Sequence, residues 1–258
     1  MKKFAAMLLV LTMVLSFAAC AKTEDAPETS AAAETTAAAE TEAVETEAAE
    51  TEAAEVAVMT HEEFMAAELE TVVTVETYVQ DHQSWWDNKI TVYCQSEDGA
   101  YFLYELACSE EDAAKLVPGT KIRVTGDKAE WAGEVEIMNG TFEFVEDGET
   151  YVAEALDVTE LLGTDELINH QNEFVTFKGM TVEAVNYKNG EPGDDIYVTL
   201  GYNGASYDFC VEIYLTDAES EVYTTVGTLN VGDVVNVEGF LYWYEGVNPH
   251  ITAISVAE

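Results

Sequence analysis

Few residues in this chain have the types and spacing for chemistry, and most of those are aromatic. Trp85 and Trp86 stand beside Asp87 and Asn88 in QDHQSWWDNK, Trp131 follows in a later turn, and Tyr242, Trp243, Tyr244 and Asn248 cluster near the C-terminus. Indole and phenol rings flanked by amide and carboxylate groups suit stacking on a sugar ring or holding a peptide. Bond-making residues are harder to find. His61, His82, His170 and His250 are scattered with no HxH or HxxxH pair, which argues against a transition-metal site. The loop NYKNGEPGDD (186–195) is rich in oxygen ligands but lacks EF-hand spacing, so a solvated loop is expected. GxSxG, Walker and GxGxxG patterns are absent, and no cysteine has an evident histidine partner. The chain is therefore expected to be non-enzymatic, with no cofactor, no metal and no catalytic residue.

An internal repeat sets the elements that must position these rings. VPGTKIRVTGDKAEWAG (117–133) lies over NVGDVVNVEGFLYWYEG (230–246) without a gap, so that Gly119, Gly126 and Gly133 fall on Gly232, Gly239 and Gly246. Ile122 and Val124 fall on Val235 and Val237, alternating as one face of a strand does. Upstream, ITVYCQSEDGAYFLYEL and IYVTLGYNGASYDFCVEI both read as apolar strands joined by a turn of Gly, Asn and Asp. Two copies of one unit predict two domains of like fold.

In the first copy the expected strands are 71–79, the 90–106 hairpin, 121–130 and 134–144. A short helix capped by Ser109 precedes the last two. The second copy repeats this with 173–185, the 196–213 hairpin, a helical stretch after Thr216, and strands from Asp233 and His250. Three strands, a short helix and two strands is the order of an OB-fold, a small closed Greek-key barrel. The predicted fold class is all-β with short helices, as two tandem OB-fold-like five-stranded barrels at 71–150 and 173–258. A short helix (56–70), opened by a Thr60/Glu63 capping box, precedes them, and a helical connector lies within 151–172. OB-folds bind ligands on strands two and three, framed by the loops joining strands one to two and four to five. That rule places Trp85, Trp86, Asp87, Asn88 and Trp131 on the first rim, and Trp243, Tyr244 and Asn248 on the second. A competing role for the rings is to plug the barrel ends or pack the barrels together.

The GxKIxVxG and GDVVxVxG runs resemble those of tandem OB-fold modules in bacterial surface lipoproteins, over residues 71–258. The N-terminus points the same way. Lys2 and Lys3, the apolar stretch Phe4–Leu15 and the small residues before Cys20 have the layout of an export signal (1–20), too short to span a bilayer stably. LSFAAC resembles the bacterial lipobox, with Phe17 departing from its usual leucine. The resemblance implies acylation of Cys20 and a lipid anchor on the extracytoplasmic face of the cell membrane. Residues 21–55 are almost wholly Ala, Glu and Thr, with eleven acidic residues and one lysine, and read as a disordered, self-repelling tether.

Charge narrows the partners. Residues 56–258 hold 40 acidic and 7 basic side chains, a net of 7 minus 40, or −33. Nucleic acid binding needs phosphates neutralised by Lys and Arg, so a nucleic-acid partner is not expected, although it is the activity most often tied to OB-folds. Lys89, Lys121, Arg123 and Lys128 are the residues available for it in the first copy. The preferred reading is a binding module for an extracellular glycan, peptide or protein, with a structural lipoprotein of the envelope as a further alternative. Cys94, Cys108 and Cys210 are odd in number and lack CxxC spacing, so buried free thiols are expected, with a Cys94–Cys108 bridge the alternative.

Overall fold

The computed structural model describes residues 57–257. The export signal, Cys20 and the tether lie outside the described residues.

The first sheet is built from β1 (Val72–His82), β2 (Lys89–Ser96), β3 (Gly99–Ala107), β4 (Lys121–Trp131) and β5 (Glu134–Phe144). Alternate residues point inward as the period of a strand requires: Val73 and Val75 from β1, Ile90, Val92 and Cys94 from β2, Leu103 from β3, Ile122 and Val124 from β4, and Ile137 from β5 form one core. The strands close as a barrel in the order β1-β2-β3-β5-β4, with β4 back on β1 and β5 parallel to β3. This is an OB-fold barrel. Before it, α1 (His61–Ala66) starts at the expected capping box and sends Phe64 into the barrel core. Lys128 Nζ donates to the carbonyls of Met65 and Ala67 at the end of α1, at 2.7 and 2.8 Å, pinning the helix to β4. Between β3 and β4, α2 (Glu110–Ala113) is capped by Ser109, whose hydroxyl accepts from the Asp112 amide.

After β6 (Leu156–Asp157), the second sheet comprises β7 (Phe174–Tyr187), β8 (Ile196–Tyr202), β9 (Ala205–Val211), β10 (Val234–Phe240) and β11 (His250–Val256). Its order repeats the first, β7-β8-β9-β11-β10, with β10 also pairing along β7. At the β9/β11 seam a single parallel pair, His250 with Cys210, replaces the two pairs joining β3 to β5. The helices α3 (Ile213–Thr216) and α4 (Glu221–Val226) fill the link between β9 and β10. The connector departs from the expected helix. It forms β6, parallel to β7, then short 3₁₀ turns at Thr159–Leu161 and Leu167–His170. Gly163, at φ 80°, breaks the helix between them.

The three described cysteines are free and buried. Burial raises the Cys108 thiol to about 11 and pushes Cys94 and Cys210 up as well, so all three are held in the thiol form near pH 7.

Candidate functional site

Residues pointing outward from β2 and β3 make the surface on which an OB-fold would hold its ligand, and here most of it is covered. Tyr93 of β2 stacks on Phe240 of β10 at 4.5 Å with rings 22° apart, and its hydroxyl shares a 2.6 Å hydrogen bond with His250 Nδ1. Phe102 of β3 meets the Tyr242 ring edge-on at 5.1 Å, and Tyr242 stacks on His250 at 4.2 Å. Polar contacts surround this aromatic joint. The Phe174 amide donates to Gln95 Oε1 at 2.8 Å, and the Gln171 amide group donates to the Gly133 carbonyl at 2.8 Å. The second sheet thus covers the outward face of β2 and β3, where an OB-fold would hold its ligand.

Of the rim residues expected to bind ligand, Trp243 packs in this joint and Asn248 is held within its own sheet. Trp243 is half-buried in the second barrel's core and lies against Gly133, and its backbone N–H donates to Glu134 Oε2 at 2.8 Å. Asn248 donates its side-chain amide to the Asp208 carbonyl at 3.1 Å and so ties down its own loop. Tyr244 remains exposed beside them. Trp131 is 60% exposed but does not line the same surface as Trp85 and Trp86. The Ala132 carbonyl in its turn accepts from the Glu245 amide, so this loop faces the second barrel.

What stays open is a groove of about 430 Å3 at the margin of the joint. Trp85 forms its inner wall, half-buried against the first core, with the indole N–H donating to the Cys108 carbonyl at 2.9 Å. Trp86 is 80% exposed at the lip. It is held there by a two-residue turn in which Asp87 and Asn88 take left-handed φ values of 48° and 61°, closed by reciprocal Trp86–Lys89 backbone hydrogen bonds of 3.0 and 2.9 Å. Tyr104 lines the floor, and Lys89 Nζ pairs with Glu105 at 2.6 Å. Glu105 itself sits at φ 48°, a bulge that turns its side chain off the strand alternation. The opposite wall comes from the second barrel. Tyr214 of α3, 63% exposed, lines the groove, and its carbonyl accepts from the Ser84 amide at 2.7 Å. Tyr104 is legible in the sequence as the outward neighbour of Phe102, whereas Tyr214 is not, because only docking of the barrels brings it to Trp86.

Charges are arranged against a basic face. Lys121 pairs with Asp147 and Glu149 at 2.5 and 2.8 Å, Arg123 with Glu76 and Glu143 at 2.6 Å each, and Lys128 is spent on α1. Beneath the joint two glutamates of β5 are buried. Glu134 is 0% exposed and Glu136 nearly so, and loss of water raises both carboxyls, Glu136 to about 7 and Glu134 well above its usual range. Glu134 Oε1 and Asn172 Oδ1 have no hydrogen-bond partner. Burial lowers His250 to about 4, so it is neutral near pH 7. In the loop 186–195, Asp195 accepts from Lys188 and from the Ile213 amide. Among the described residues, no group of three or more His, Cys, Asp or Glu is placed to hold a metal ion, and no helix is long and apolar enough to cross a membrane.

No family model matches the sequence, and no curated protein matches it. Solved structures that resemble it include a murine DNA-binding protein bound with double-stranded DNA, at 11% identity, covering 72% of this chain and 95% of that one with a TM-score of 0.36. The p204 HINb domain matches at 12% identity over 70% of this chain and 95% of that one, TM-score 0.32. The Ifi202 HINa domain in complex with 20-bp double-stranded DNA matches at 12% over 73% and 96%, TM-score 0.32. Likenesses this distant carry no functional argument, and the fold rests on strand order and pairing.

Proposed function

We propose that this chain is a membrane-anchored extracytoplasmic lipoprotein that works as a non-enzymatic binding module for a glycan, peptide or protein. The observation that carries the reading is the groove between the barrels, where Trp86 and Tyr214 stay exposed while Tyr93, Phe102 and Phe240 of the joint are packed away. Its size falls within the roughly 300–1,000 Å3 of small-molecule and side-chain sites. The anchor at Cys20 and the acidic tether present this groove outside the cell.

The test uses two probes, a soluble neutral polysaccharide and a mixed peptide library. The full chain retains at least one, and Trp86→Ala with Tyr214→Ala abolishes retention while the melting temperature stays within a few degrees. A collapse of the melting temperature would make these rings core. For the anchor, Cys20→Ser moves the protein from the detergent to the aqueous phase of a partition experiment. Nucleic acid fits less well, since Lys121, Arg123 and Lys128 are already engaged and the folded region carries a net of −33. Titration with fluorescent single-stranded DNA at low salt is expected to show no tight, salt-sensitive binding.

A further inference from the structure

Basic side chains elsewhere in the molecule already sit over aromatic rings. Lys115 lies 5.8 Å from the Phe144 centroid, Lys121 5.6 Å from Tyr78, and Lys128 5.2 Å from Phe64. Among the described residues no such cation covers Trp85, Trp86, Tyr104 or Tyr214, and none of these four rings stacks on another. Trp85 packs on the core and Tyr104 beside Phe102, which leaves Trp86 and Tyr214 with exposed rings. The cation that lines the groove, Lys89, is paired with Glu105, and both side chains are about half exposed, so the pair opens at little cost. Residues 56–258 carry a net of −33, an overall field that gathers positive charge and repels anions. The strand β2 is paired with β1 on one side and β3 on the other and so offers no free edge.

We infer that the groove holds an arginine side chain of a basic peptide segment, its guanidinium plane stacked on Trp86 and Tyr214 and paired with Glu105 in place of Lys89. Arginine suits it better than lysine, since a planar, weakly hydrated cation stacks on rings and forms a two-pronged pair with a carboxylate. This inference rests on the groove being the binding site. Lys89 then acts as an internal competitor for Glu105, which gives the idea an uncommon signature: removing a positive charge alters binding in the direction opposite to removing a ring.

The test follows tryptophan fluorescence of the full chain on titration with the acetylated amide peptide Gly-Gly-Arg-Gly-Gly and its neutral isostere containing citrulline. The arginine peptide binds at least tenfold tighter, and added salt weakens it. Trp86→Ala costs about tenfold, and Lys89→Gln tightens binding several-fold. Equal binding of both peptides overturns the inference, as does binding that Trp86→Ala and Tyr214→Ala leave unchanged, which places the cation elsewhere on the acidic surface. A neutral polysaccharide bound through Trp86 while the arginine peptide is not refutes the arginine site but leaves the groove reading standing. If neither probe binds, both fall.

Discussion

Glu136 allows the joint between the barrels to be tested by titration. Its carboxyl is nearly fully buried, and its folded value of about 7 stands against 4.5 in an exposed chain. Below pH 4.5 the group is protonated in both states and makes no difference. Between 4.5 and 7 the unfolded chain releases its proton while the folded one keeps it, so stability falls as pH rises, at about 1.4 kcal/mol per pH unit. Above pH 7 the loss is complete, about 3 kcal/mol to order of magnitude. Glutamine keeps the shape and cannot ionise. Urea unfolding of Glu136→Gln and the parent from pH 4.5 to 8 should therefore give curves that agree at the acid end and separate by up to about 3 kcal/mol at the alkaline end, the variant being the more stable, with unchanged slopes in urea. A gap that is the same at pH 5 and pH 8 refutes the reasoning, because a packing effect does not titrate. Glu212, also raised by burial, acts in the same direction and cancels in the comparison, whereas Glu134, raised by burial and by the Glu136 charge, is partly relieved in the variant and widens the gap at the alkaline end.

Two other substitutions probe the same joint. Gly133→Ala puts a Cβ 2.8 Å from Trp243 Cδ1 at a φ of 94°, and is expected to cost about 1–3 kcal/mol by calorimetry, whereas Gly148→Ala, with nothing within 4 Å, reports the backbone strain alone. Tyr93→Phe leaves His250 Nδ1 buried without its 2.6 Å partner and should cost about 1–3 kcal/mol at pH 7. Its sign with pH is opposite to that of Glu136: His250, lowered to about 4, withdraws stability as pH falls from 6.5 towards 4, so His250→Asn should gain on the parent through that window, and a gap that does not change with pH would contradict its burial.

Much of the fold is legible in the chain because it depends on local rules. Alternation in KIRV and DVVNV, turn glycines, and the caps at Thr60 and Ser109 each specify one element, and agreement between two copies specifies the order. The connector was harder, since residues 157–169 carry helix formers but Gly163 divides them. At the site, Trp85 and Trp86 follow from the loop they occupy. The separation of Trp131 from them comes from the antiparallel pairing of β1 with β4, which puts the two loops at opposite ends, and Asn248 is a latch within its own sheet; only the packing of Trp243 on Gly133 depends on where one barrel rests on the other. That arrangement is written in Tyr93, Phe102 and Phe240, which a strand pattern marks as outward residues without saying what lies over them.

The covered face of the first barrel also sets the valency of the molecule. Two copies of a binding fold on one chain invite the expectation of two hands, each adding to the grip of the other. Here one copy packs on the outward face of its neighbour, and on the proposed reading the pair shares one groove among the described residues, so a single chain gains nothing from a repetitive partner. Any avidity has to come from several chains engaging that partner together, which makes retention depend on how densely the chains are displayed rather than on the affinity of one.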